Sequence, residues 1–275
     1  MLRKTFKHFI SVSAIFVLIF SIYTYAGEYR GEVISATGEV YIIDSAGEHH
    51  AVEAPGYTVR ETDTLVTDQG GTAIISFNDG VLSVLNENSR LRVEKTYWLS
   101  HLGGKIYFTF RKVFNGTRHV KTRFATLGIR GTTFIIYDNN DQQAVALQEG
   151  LLDIESHGPA FEIHRRHQLD EFEAFKQQQM QQQQKEELRK EFDEYRQQLQ
   201  REFIEFKRNF SMQAEHVISF DGDRVDERVI DDDAMADFEN FEAIAGDLLE
   251  EFREQARPHR ENIESQPVLD EEDFE

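Results

Sequence analysis

The chain has 275 residues, a net charge of −20, 40% hydrophobic residues and no cysteine. That is enough for one substantial core or two small ones, and it excludes disulfides, thiolate metal sites, thiol nucleophiles and lipidated cysteine anchors. The acidic balance excludes general nucleic-acid binding, which requires a basic footprint across the domain.

The N-terminus carries Arg3, Lys4 and Lys7 ahead of an apolar run from Phe9 to about Tyr23, then Thr24, Tyr25 and Ala26. Basic flank, apolar centre and small residues near the end are the three parts of an export signal, so residues 1–26 are expected to direct export to the periplasm. The run falls short of the roughly 20 apolar residues that span a bilayer. If left uncleaved it would act as an inner-membrane anchor.

From residue 27 to about 158 the pattern is β. Alternation of period two places Ala73, Ile75 and Phe77 on one face of "TAIISF", and Ile106, Phe108 and Phe110 on one face of "GKIYFTF". Gly38, Gly47, Gly70, Gly71, Gly80, Gly103, Gly104 and Gly116 punctuate these runs as turn residues. Short strands separated by turns predict an all-β domain, an antiparallel sandwich, jelly roll or β-roll with hairpin connections.

After Pro159 the composition changes to Gln, Glu, Lys and Arg, which lose little rotamer freedom in a helix. Leu188, Phe192, Tyr195, Leu199, Phe203, Phe206 and Phe210 recur at steps of three and four. This spacing predicts one long, Gln-rich amphipathic helix within residues 159–220, on the order of 80 Å at 1.5 Å per residue. Its 188–210 aromatic stripe would pack on a second copy as a coiled coil, on the β domain, or on another partner. Residues 221–275 hold 21 acidic and 5 basic residues. A second helix is expected over about 232–257, with Met235, Phe238, Phe241, Ala245, Leu248 and Phe252 on one side, followed by a disordered tail beyond Pro258.

The stretch "TLGIRGTTFIIYD", Thr126 to Asp138, is a strand sequence with Arg130 and Gly131 in its middle. A glycine there suggests a bulge or a close backbone approach. Arg130 would then be re-aimed to the sheet edge, making a forked contact with a carboxylate or with carbonyls; ligand binding is the alternative.

The run Gly128, Ile129, Arg130, Gly131, Thr132, Thr133, Phe134 resembles the G-x-R-G-T-x-F element of FecR-like periplasmic domains. Elements similar to those of that family stand in the same order: Asp63 to Thr67, Asn78 to Val81, Asn88 to Leu91, Leu102 to Phe108, and Glu149 to Leu152. The resemblance covers about residues 30–156. It implies an exported β module that binds or relays and has no chemistry of its own, with Gly128, Arg130, Gly131, Thr132 and Phe134 as structural motif residues. Two departures stand out. Only eight residues precede the apolar run, so the cytoplasmic sigma-factor-handling segment of the family's regulators is not expected here. Thr62 replaces the glycine that usually precedes the aspartate of the first turn.

No H-E-x-x-H, G-x-S-x-G, phosphate-binding loop or dinucleotide fingerprint is present, and no enzyme activity, catalytic residue, cofactor or metal is expected. His164 and His167 with Glu162 and Glu171 offer metal ligands only if they share a helix face; His49 and His50 would point to opposite faces of a strand. Between Glu94 and Asp138 there is no acidic residue, while Lys105, Arg111, Lys112, Arg118, Lys121 and Arg123 fall there. They are expected to form a positive surface that meets the acidic C-terminal region of the same chain, an anionic envelope polymer or lipid headgroup, or another exported protein. Together these features predict a cell-envelope binding or scaffold module, or alternatively a periplasmic signalling component that senses a partner and relays through the long helix.

Overall fold

The computed structural model describes residues 28–52, 55–78, 80–95, 98–111, 118–139, 142–165 and 204–255. Residues 1–26, expected to direct export, lie outside them. Among the described residues the chain is mostly β, as its alternation predicts, with two short helices at the C-terminal end.

The strands are β1 (Tyr29–Thr37), β2 (Val40–Ile43), β3 (His49–Ala51), β4 (Tyr57–Arg60), β5 (Thr64–Thr67), β6 (Thr72–Phe77), β7 (Val81–Leu85), β8 (Ser89–Val93), β9 (Trp98–Phe110) and β10 (Arg118–Lys121). They continue with β11 (Ala125–Ile129), β12 (Thr133–Asp138), β13 (Gln143–Glu149), β14 (Leu151–Ser156), β15 (Phe161–Arg165), β16 (Ile204–Lys207), β17 (Asn209–Gln213), β18 (His216–Asp221) and β19 (Arg224–Val229). Two helices follow, α1 (Asp232–Ala245) and α2 (Asp247–Gln255).

Pairings divide the strands into two sheets. The central sheet runs β4-β1-β6-β7-β9-β12-β13-β18-β19-β15-β16. The outer sheet runs β3-β2-β5-β8-β9-β10-β11-β14-β17. β9 belongs to both: its first half pairs with β8 and β10, its second half with β7 and β12, and it folds over at Gly103 and Gly104. Pairing is antiparallel except for β9–β10 and β15–β19.

The two sheets differ in what covers them, and the burial patterns record it. Between them lies one apolar cluster to which both contribute, including Ile75, Phe108 and Phe134 from the central sheet and Leu91, Leu127 and Ile154 from the outer. Behind the central sheet lies a second cluster, where Leu82, Val84, Tyr107, Ile135 and Tyr137 meet Phe238, Phe241, Leu249 and Phe252 of the helices. The central strands β7 and β12 are therefore buried at every position, whereas β8 in the outer sheet alternates buried and exposed. Fully burying a Phe or Leu side chain is worth about 1.5–3 kcal/mol, so the second cluster holds the helices firmly.

The long helix expected over 159–220 is not what the described residues form. Phe161–Arg165 and the segment from Ile204 to Val229 are strands of the same two sheets, so the β structure continues well past residue 158. The Gln-rich centre, with Leu188, Phe192, Tyr195, Leu199 and Phe203, falls outside the described residues. Of the remaining stripe, Phe206 is 69% exposed while Phe210 is buried. The physical reason is that Phe210, Met212, Phe220 and Val225 alternate toward the inter-sheet cluster, where Phe161 stands 5.9 Å from Phe210 and 5.7 Å from Phe220. Helical spacing of three and four at Phe203, Phe206 and Phe210 coincided with a strand whose burial is decided by the neighbouring sheet.

The second helix is present but broken. Asp231 caps α1 by accepting from the Ala234 backbone N–H at 3.0 Å, and the chain turns at Gly246 before α2. Beyond that break Leu249 is buried and Leu248, to which the spacing pointed, only partly so; within α1, Ala234 is buried and Met235 is 40% exposed.

Candidate binding face

Arg130 and Gly131 stand where the chain leaves the outer sheet and enters the central one: β11 ends at Ile129 and β12 begins at Thr133. The interrupted strand is thus a corner between sheets. Gly131 takes φ +67°, in the left-handed region. Beside it, Gly150 makes the return crossing from β13 to β14, and a Cβ on Gly150 would lie 2.5 Å from the Gly131 carbonyl oxygen and 2.6 Å from Thr132 Cγ2. Thr132 is buried, and Phe134 stacks on Phe108 at 5.2 Å and on Phe110 at 5.8 Å. These motif residues build the corner.

The other two lie on the outer face of the outer sheet, Arg130 exposed and Gly128 buried in the floor. Gly128 and Arg130 line a groove of about 440 Å³ on the exposed face of the outer sheet, with His119, Thr126, Asp153 and Ser211. Arg130 reaches Asp153 at 3.5 Å, and its side chain is 62% exposed. The Ser211 hydroxyl donates to the other Asp153 oxygen at 2.7 Å. Thr126 Oγ1 and His157 Nε2 lie 2.9 Å apart. The lining is mixed, with Ile154 and Phe210 beside the polar groups, and lacking a side chain at Gly128 it is concave there. Cross-strand register sets the array, since His119 faces Gly128, Gly128 faces Asp153 and Asp153 faces Ser211. The arginine does contact a carboxylate, as expected, but through one nitrogen and not as a fork.

The basic residues expected to form one surface are divided between the sheets. On the central sheet, Lys105 Nζ lies 2.8 Å from Asp237 of α1 and 5.4 Å from the Tyr137 ring centroid. The Arg111 guanidinium covers the Phe252 ring of α2 at 4.2 Å. These two do meet the acidic C-terminal region. Arg118 and Lys121 sit on β10 in the outer sheet, and Arg123 pairs with Asp138; Lys112 lies outside the described residues. The strand between Glu94 and Asp138 visits both sheets, which is why a run continuous in sequence is not a patch in space. The Tyr137 hydroxyl donates to Asp237 at 3.0 Å, and burial, reinforced by Asp237, holds its ionisation far above the usual phenol range.

Of the histidines weighed as metal ligands, His164 lies on β15 and contacts Glu162 at 2.8 Å; His167 and Glu171 lie outside the described residues. His49 stacks on Tyr41 at 5.0 Å. His50 Nε2 lies 2.9 Å from Asp44, and Asp44, Glu48 and His50 offer ligand atoms within 4.8 Å of one another. Asp44 already accepts from the backbone N–H groups of Ala46 and Glu48 in this exposed turn, so the grouping is a closed hairpin turn.

Sequence reasoning missed Ser211 and Asn209, which also lines the groove, because they fall in the segment assigned to a helix. The available signal was the alternation of "NFSMQ" and the turn residues Asp221-Gly222-Asp223 between two apolar runs.

Residues 63–153 match the family model described as FecR protein. Over those residues the chain is similar to the FecR family. No curated protein matches the chain. Among solved structures, a candidate anti-sigma factor from Parabacteroides distasonis, seen in two crystal structures, aligns with a TM-score of 0.40 and 11% identity over 61% of this chain and 60% of that one. At that level of similarity it carries no argument about fold or function. The FecR match ends at Asp153, so β15 to β19 and both helices lie beyond the matched residues. Among the described residues no helix is long and apolar enough to cross a membrane.

Proposed function

We propose that this is an exported, non-catalytic FecR-domain protein of the cell envelope that binds a protein partner through the exposed face of its outer sheet. One observation carries the reading: the helices cover the back of the central sheet, while the outer sheet presents an open groove of mixed polarity lined by Gly128 and Arg130 of the FecR motif. Arg130, the motif residue that reaches solvent, is adjacent in sequence to those that build the corner, so the corner fixes its direction. An exposed ion pair such as Arg130–Asp153 adds little to stability, about 0–1 kcal/mol, and is available for exchange with a partner's charges.

A photo-crosslinking residue at Thr126 or Asn209, in the native host, is expected to give one discrete protein adduct that disappears with Arg130→Glu. The same residue at Glu239, on the opposite side of the molecule, is expected to give none of that adduct. Failure of both groove positions to crosslink, or persistence of the adduct in Arg130→Glu, would overturn the assignment of the face. Export is checked separately by fusing residues 1–27 to alkaline phosphatase; an inactive fusion would remove the envelope setting.

The FecR match favours a second reading, in which engagement of the same face is part of a regulatory circuit. Under that reading deletion of the protein alters a partner-dependent transcriptional response, whereas a scaffold role predicts loss of the partner's level or position with transcription unchanged.

A further inference from the structure

Where β6 ends and β10 begins, the two sheets part around a recess of about 280 Å³. Phe77, Val81 and Phe110 of the central sheet and Val93 and Leu99 of the outer sheet wall it, and all five belong to the inter-sheet cluster. Protein interiors are close-packed, with few voids larger than water, so an apolar recess of this size opening between sheets is a space that a solute can occupy. Its volume lies just below the roughly 300–1,000 Å³ of small-molecule pockets, and an apolar floor with a few convergent polar groups is their usual composition.

The mouth carries two guanidinium groups. Arg30 is held by Glu61, by Glu28 at 3.4 Å and by the Lys95 carbonyl at 2.9 Å, with its side chain 18% exposed. All three contacts converge on one terminal nitrogen, Nη2, and hold that end of the guanidinium at the mouth. Arg118, on β10, reaches the Gly80 carbonyl at 3.5 Å. Three carboxylates lie near the mouth and each is engaged: Glu28 and Glu61 with Arg30, and Glu94 with the Ser100 hydroxyl at 2.8 Å and Arg92 at 3.9 Å. A negative headgroup entering here meets fixed arginines while its apolar body slides between Phe77 and Phe110.

We propose that this recess binds a small amphiphilic anion, a monocarboxylate with a flat aromatic or apolar body, at a site other than the groove on the outer sheet, with which it shares His119. Arginine is suited to the task because its planar donors match a carboxylate, and a half-buried site strengthens that contact relative to water.

The test uses 2-naphthoate titrated into the full chain, followed by ligand-observed NMR and by its own fluorescence. Saturable binding is expected, weakened at least fivefold by Arg118→Ala and to a similar degree when the neutral 2-naphthamide replaces the acid. Arg118→Ala lies at the mouth, and an unchanged melting temperature shows that the variant is folded. Absence of saturable binding up to millimolar ligand would overturn the proposal, as would equal affinity for acid and amide, or wild-type affinity in Arg118→Ala.

Discussion

His101 supplies a quantitative test of the inter-sheet packing. It lies on the outer-sheet half of β9 opposite Leu91, is 1% exposed, and neither ring nitrogen makes a hydrogen bond of ordinary geometry with a described residue. Burial lowers its pKa to about 4; backbone groups of Gly104 and His101 itself pull weakly the other way, and Arg123 adds to the depression. The unfolded chain therefore takes up the proton first, near pH 6.5. Stability contributed by neutral His101 is complete above that pH and is lost progressively as pH falls toward 4. A depression of about 2.5 units at about 1.4 kcal/mol each corresponds to about 3 kcal/mol across the window. In His101→Leu this slope disappears. Urea unfolding of both proteins at half-unit steps from pH 8 to 4 should give a difference that is flat above pH 7, then turns in favour of the variant by roughly 1 kcal/mol per pH unit. Asp63 and Asp138, whose carboxyls burial pushes upward, act in the opposite sense, so the difference between proteins and not either curve alone isolates the histidine. A difference independent of pH would refute the idea that a neutral imidazole is buried between the sheets.

Phe241→Ala, which empties the fully buried contact with Tyr107 at 5.8 Å, should cost about 3–5 kcal/mol and raise hydrogen exchange throughout α1 and α2; unchanged exchange would show that the helices are held some other way. Lys105→Ala, which breaks a half-exposed pair with Asp237, should cost no more than about 1 kcal/mol, and 0.5 M salt should leave helix protection nearly unchanged, because burial and not charge holds this region. Gly150→Ala should lower stability by about 2 kcal/mol or more in thermal unfolding, since φ is +92° and the new Cβ meets backbone at 2.5 Å. Thr62→Gly should raise it by about 1 kcal/mol: Thr62 has φ +71°, a left-handed conformation costing a branched residue about 1–2 kcal/mol, partly offset by the greater unfolded freedom of glycine. A lower melting temperature in Thr62→Gly would contradict that assignment of strain.

The sequence by itself determined the strands of residues 29–156, because side chains alternating on a pleat must place Ala73, Ile75 and Phe77, or Ile106, Phe108 and Phe110, on one side, and the inter-sheet cluster holds all six. It also determined the order of the FecR elements and the start of a helix at Asp232. Tertiary structure alone decided that Arg130 and Gly131 turn a corner between sheets, that a basic run continuous in sequence splits across two faces, and that the aromatic spacing ending at Phe210 belongs to a strand. Local pattern reports which residues seek burial and at what period, but a short segment can satisfy either period. The choice was made by the existing edge of β14, which offered Asn209–Gln213 both hydrogen-bond partners and a place in the core for Phe210 and Met212.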